Sequence, residues 1–218
     1  MTHFLFRLFV ALGVAMMATA AYSQTDVGEG EKLTRQGDGS GAPCIACHGA
    51  DGGGNEVGGF PRLAGLNAGY LAKQMFDYNA GLRISAIMQP NVDNLTEQQI
   101  QNIAAYYASL PAPPSKTTGT PPGAQVALGE KLTKEGDWDN YIPPCAACHG
   151  PGDRGVGSAF PALAGQHPLY IRQQLEAWKT GQRKNDPNQL MAAVAGRMSA
   201  EQIAAVAAYL GSLPASAK

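Results

Sequence analysis

Two stretches of the chain carry the same hydrophobic register. Ile100, Ile103, Ala104 and Tyr107 recur at helical spacing, and Ile203, Val206, Ala207 and Leu210 repeat the stripe. Each predicts an amphipathic helix with one buried face. Thr96 followed by Gln99, and Ser199 followed by Gln202, form capping boxes ahead of these helices; the hydroxyl and the amide satisfy exposed N–H groups reciprocally. Leu110-Pro111 and Leu213-Pro214 end them, since proline cannot continue the ladder. Weaker patterns predict a first helix over 27–35 and again over 125–134, and a middle helix over 68–79 and again over 168–180.

The pattern repeats because the sequence does. Gly30-Glu31-Lys32-Leu33-Thr34 returns as Gly129-Glu130-Lys131-Leu132-Thr133, and Phe60-Pro61-Arg62-Leu63-Ala64-Gly65 returns as Phe160-Pro161-Ala162-Leu163-Ala164-Gly165. Tyr70, Gln74, Gly81 and Arg83 answer to Tyr170, Gln174, Gly181 and Arg183. The offset drifts only from 99 to 103. A self-similarity of this kind is the mark of a duplicated unit. The expected layout is one domain over 24–112, a stiff Pro-rich linker over 113–124 and a second domain over 125–218.

Residues 1–23 stand apart. Leu8 to Ala21 is a 14-residue apolar run after His3 and Arg7. As a helix it spans ~21 Å, short of the ~30 Å hydrocarbon core. Small residues then offer cleavage sites at Ala18-Thr19-Ala20 and Ala21-Tyr22-Ser23. This predicts a secretory signal peptide and an exported, periplasmic protein, an uncleaved anchor being the alternative.

Composition narrows the class. Val and Ile together number 17 of 218, few for a sheet protein, while Gly 27 and Pro 15 indicate long loops. The fold class is therefore all-α. A net charge of −1, without any nucleic-acid-binding pattern, excludes a nucleic-acid partner. Charge is uneven along the chain: residues 24–115 hold 5 basic and 9 acidic side chains, residues 116–218 hold 10 and 8. Domains of some ninety residues with three short helices have thin cores, which a large apolar prosthetic group would fill.

All four cysteines lie in two C-x-x-C-H motifs, Cys44/Cys47/His48 and Cys145/Cys148/His149. Thiols three positions apart can reach the two vinyl groups of a haem, and the next histidine then sits beneath the iron. A thioredoxin-type site lacks its βαβ context. A zinc site would need its Cys pairs closer, yet Cys47 and Cys145 are 98 positions apart. Two ordinary disulfides leave the paired histidines unexplained. The expected cofactors are two covalently bound haem c groups.

The repeat also selects the second axial ligand. Met75 aligns with Leu175 and Met198 with Leu95, so those positions serve packing. Met88 and Met191 align with each other, 40 and 42 residues after their histidines, in segments expected to be loops. His167, the only other histidine after residue 23, answers to Asn67 and is expected on a surface loop. His48/Met88 and His149/Met191 would each fill both axial positions of an iron. A thioether favours the ferrous state and leaves no vacancy for substrate, which suits electron transfer. No catalytic residue is expected.

At these residues the chain resembles the dihaem cytochrome c4 family. The likeness covers nearly everything after residue 23, in the C-x-x-C-H motifs, the F-P-x-L-A-G segments, the Tyr-x-x-x-Gln stretches and the Met ahead of the final helix. The resemblance implies two tandem class I cytochrome c domains about a pseudo-twofold axis, haem propionate edges facing each other. It implies that the carbonyls of Pro61 and Pro161 accept the Nδ1–H of the axial histidines, and that Gly30 and Gly129 let the first and last helices cross. It implies a carrier between a quinol-oxidising complex or dehydrogenase and a terminal oxidase, meeting the membrane only through partners or an uncleaved leader. The alternatives are an electron-accepting subunit of a dehydrogenase, of flavocytochrome type, and a dihaem peroxidase or thiosulfate-oxidising enzyme. Two departures stand out. Four residues separate Arg83 from Met88 but seven separate Arg183 from Met191, and Pro90 has no counterpart; the two Met arms, and the two potentials, are expected to differ.

Overall fold

The computed structural model describes residues 24–114 and 121–215; the expected signal peptide and the middle of the expected linker lie outside them. The described residues form helices joined by loops, with isolated bridges in place of strands. The first half holds α1 (Val27–Gln36), α2 (Ile45–His48), α3 (Ala68–Asn79) and α4 (Glu97–Ser109). The second holds α5 (Gly123–Lys134), α6 (Cys145–His149), α7 (Pro168–Lys179), α8 (Leu190–Arg197) and α9 (Ala200–Ser212).

Both halves are built the same way. Thr96 and Ser199 cap α4 and α9 with both arms of the capping box present. The apolar stripes then meet their partners: α1 crosses α4, and α5 crosses α9. Gly30 and Gly129 sit at these crossings. A Cβ on Gly30 would lie 2.1 Å from the Asn102 carbonyl oxygen, and one on Gly129 2.1 Å from that of Ala205. No side chain fits there. Leu33, Leu71, Ile100, Ile103 and Tyr107 form one core, and Leu132, Ile171, Leu175, Ile203, Val206 and Leu210 the other.

Three expectations need correction. The segment carrying Met191 is not a loop: α8 begins at Leu190, after a turn in which Asn188 and Gln189 adopt left-handed backbone. Helix α5 starts at Gly123, inside the stretch expected to be linker. His167 is buried, not on the surface, and its Nε2 lies 2.9 Å from the Gly53 carbonyl of the other half.

That contact belongs to an extensive boundary between the halves. The Gln166 amide accepts from the Arg62 N–H at 2.9 Å and donates to the Arg62 carbonyl at 3.0 Å. The Arg62 guanidinium donates to the carbonyls of Ala64 (2.6 Å) and Ala164 (3.1 Å), one in each half. Arg83 and Arg183, equivalent positions of the two copies, meet as an antiparallel bridge, in keeping with a pseudo-twofold relation of the halves.

Candidate functional site

The second C-x-x-C-H motif occupies α6, and the first occupies α2 together with its N-cap Cys44; a helical turn brings residues three apart onto one side. The histidine ends the helix, and Gly49 or Gly150, both at positive φ, turns the chain away. The chain then returns so that the His48 Nδ1–H donates to the Pro61 carbonyl at 3.0 Å and the His149 Nδ1–H to the Pro161 carbonyl at 2.7 Å. Phe60 and Phe160 stand edge-on to these rings, 6.2 and 6.1 Å between centroids. Ring orientation and tautomer are thus fixed from behind.

At His48 the other nitrogen has no partner. His48 Nε2 is buried without any hydrogen-bond partner, a costly arrangement unless something binds there. Burial lowers the pKa of both His48 and His149, with the charge of Arg83 adding to the effect at His48. The rings stay neutral, as a metal ligand must be. Burial also pushes the thiols up, Cys145 to about 11 and Cys44 in the same direction. All four cysteines are free of disulfides, and among the described residues no cluster of three or more His, Cys, Asp or Glu could cage a metal ion. The residues fit covalent haem.

Met88 and Met191 are both half-buried. Met88 opens a short 3-10 turn over Gln89–Asn91, its N–H held by the Ser85 hydroxyl at 3.1 Å. Met191 is the second residue of α8 and packs against the second core. Met198 is buried in that core and Met75 lies against the first, in keeping with packing. Sequence reading missed the roles of Arg62, Gln166 and His167, which stand in one copy only. It noted Arg83 and Arg183 as a repeated pair without assigning them a task.

The fold and the two histidine sites define a chain of paired c-type haem-binding domains. The cytochrome c family model matches residues 29–111 and 126–214. The chain is 42% identical to the thiosulfate dehydrogenase electron acceptor of Stutzerimonas stutzeri, over 93% of this chain and 91% of that one. The crystal structure of reduced cytochrome c4 from Pseudomonas stutzeri superposes with a TM-score of 0.75 at 34% identity, covering 87% of this chain and 100% of that one. A thiosulfate dehydrogenase from Marichromatium purpuratum superposes with a TM-score of 0.81 at 43% identity; 87% of this chain matches 40% of that longer one. The chain belongs to the cytochrome c family, within its dihaem cytochrome c4 group. It binds two covalent haem c groups, and it is an electron-transfer protein, not an enzyme.

Proposed function

We propose that this chain is a periplasmic electron acceptor that takes electrons from a thiosulfate-oxidising dehydrogenase and delivers them towards a terminal oxidase. The observation that carries the reading is the buried, unpartnered Nε2 of His48, pinned through Nδ1, in a site whose backbone bond recurs at His149. Cys44 and Cys47 tether one haem, Cys145 and Cys148 the other. His48 and His149 would ligate the iron through Nε2, with Pro61 and Pro161 holding their Nδ1 protons. Met88 and Met191 would supply a thioether to each iron. Haem, when bound, supplies a one-electron iron couple. The donor is suggested by relatives named as electron acceptors of thiosulfate dehydrogenase. Export rests on the leader-like residues 1–23; no helix among the described residues is long and apolar enough to cross a membrane.

The test mixes the purified, oxidised protein with thiosulfate alone and then with a thiosulfate dehydrogenase. Only the second mixture should reduce it, within a catalytic cycle of the dehydrogenase. Thiosulfate turnover by the protein alone, or no reduction in either mixture, contradicts the proposal. Likeness to cytochrome c4 over that protein's whole length favours a second reading, a general carrier fed by a quinol-oxidising complex. Reduction by such a complex and not by the dehydrogenase selects it.

A further inference from the structure

Trp138 and Tyr141 are 67% and 76% exposed, and both stand on one short turn of the second half. Rings of that size are costly to leave in water, yet the turn is tightly held. The Asp137 N–H donates to the Ile142 carbonyl at 2.7 Å, and the Ile142 N–H to the Asp137 carbonyl at 2.9 Å. The amides of Asn140 and of Gln202, on α9, each donate to Asp137 Oδ2 at 2.8 Å. Ile142 is 1% exposed and belongs to the second core. Gly136, at positive φ, lets the chain pass, since a Cβ there would lie 2.4 Å from the Ile142 carbonyl oxygen. Tyr141 itself adopts left-handed backbone at φ 56°, a conformation disfavoured for a bulky side chain.

The first half lacks this feature. Nine residues separate Thr34 from Cys44 and include no ring, whereas eleven separate Thr133 from Cys145. The aromatic turn is an addition to one copy, and neither ring belongs to the core. It leads straight into α6. Cys145 packs against the core that holds Ile142, and Cys148 is exposed, so the turn and the second haem's tether share one anchor.

Charge decides what kind of surface fits. Residues 116–218 hold more basic than acidic side chains, yet 135–141 hold Glu135, Asp137 and Asp139 and no base. Glu135 and Asp139 are exposed, and the Asn140 amide holds Asp137 below the usual carboxylate range. Rings rimmed by carboxylates accept ammonium and guanidinium groups, the rings through their faces and the carboxylates by charge-assisted bonds. An anionic membrane would be repelled, and a second copy would set the same acids against each other. We propose that the Trp138–Tyr141 turn is the docking surface through which the second haem exchanges electrons with a redox protein whose contact face carries lysines or arginines. Large aromatics on a fixed support are the side chains that dominate such interfaces. The inference rests on the carrier reading above and adds which half meets this partner and by what chemistry.

A lysine-rich single-haem cytochrome c, oxidised, serves as the probe and is mixed by stopped flow with the reduced holoprotein. One electron leaves one haem and enters the other, with no further reactant. The rate should fall as ionic strength rises. Trp138→Ser and Tyr141→Ser should each slow the exchange roughly fivefold or more. Asp139→Lys, a change at an exposed side chain, should slow it at low ionic strength and flatten the salt dependence; it keeps the test open should an aromatic variant misfold. Reduction of the same variants by ascorbate should keep the wild-type rate. Wild-type exchange rates in the aromatic variants, or an equal loss with ascorbate, overturns the proposal. So does retention of the wild type but not the variants on phospholipid vesicles, which would mark a membrane face. A wild-type dimer in sedimentation that the variants lose overturns it as well, since the turn would then meet a second copy. Failure of the carrier reading looks different and takes the proposal with it: the wild type would turn over thiosulfate unaided.

Discussion

At the scale of single residues, the two axial histidines show how much a motif determines and where it stops. C-x-x-C-H identifies the cysteines and the histidine by chemistry alone. The proline partner became legible only through family resemblance, because His48 and Pro61 are brought together by a loop. Met88 and Met191 were singled out by comparing copies, a comparison that discards Met75 and Met198 as packing. The account predicts that the oxidised protein shows a weak band near the red edge of the visible, from iron–thioether bonding. Met88→Ala and Met191→Ala should each remove about half of it, and loss in neither would mean other ligands. His167 shows the opposite case. It is a single-copy residue whose partner, Gly53, stands 114 positions away, and nothing local marks it as buried.

Asp153 carries a pH prediction. It takes the place of Gly52 in the second copy, in left-handed backbone, and its Oδ1 is buried without a partner. Burial pushes its carboxyl up to about 6, whereas an unfolded aspartate titrates near ~4. Between these values the folded chain keeps a proton that the unfolded chain has released. Stability from this group therefore falls as pH rises from ~4 to ~6. Asp153→Asn should abolish that fall, seen as a urea midpoint that gains on the wild type across the window. A constant difference between the two proteins would contradict it.

At the scale of elements, the long helices were legible and the short ones were not. α4 and α9 announce themselves through capping boxes, a clear stripe and a terminal proline. α8 does not: it follows Asp186-Pro187-Asn188-Gln189, which reads as a turn, and its N-cap is a left-handed Gln189 without a capping bond. Three extra residues in this arm give room for the helix, while the first copy has only a 3-10 turn at Met88. The expected difference between the two Met arms is thus present in the backbone. The glycine crossings are the elements' tightest contacts. Gly30→Ala or Gly129→Ala must force a helix pair apart and should each cost about 2 kcal/mol or more, measured by chemical denaturation. Wild-type stability in either variant would mean that the helices have room to spare.

At the scale of the whole molecule, duplication was readable from the sequence but the boundary was not. The residues that join the halves come from loops and helix ends far apart in the chain, and several lack a counterpart in the other copy. Gln166 satisfies both backbone groups of Arg62. Gln166→Leu leaves them buried and unpaired, at about 2 kcal/mol, and should separate the unfolding of the halves into two transitions. A single unshifted transition would show that Gln166 does not couple them.

Carbon monoxide binding to the reduced native protein tests the central claim most directly, since it asks whether both irons are closed by His48/Met88 and His149/Met191. The account predicts no uptake by the native protein, and one equivalent in each of Met88→Ala and Met191→Ala. Ready uptake by the untouched protein would contradict it.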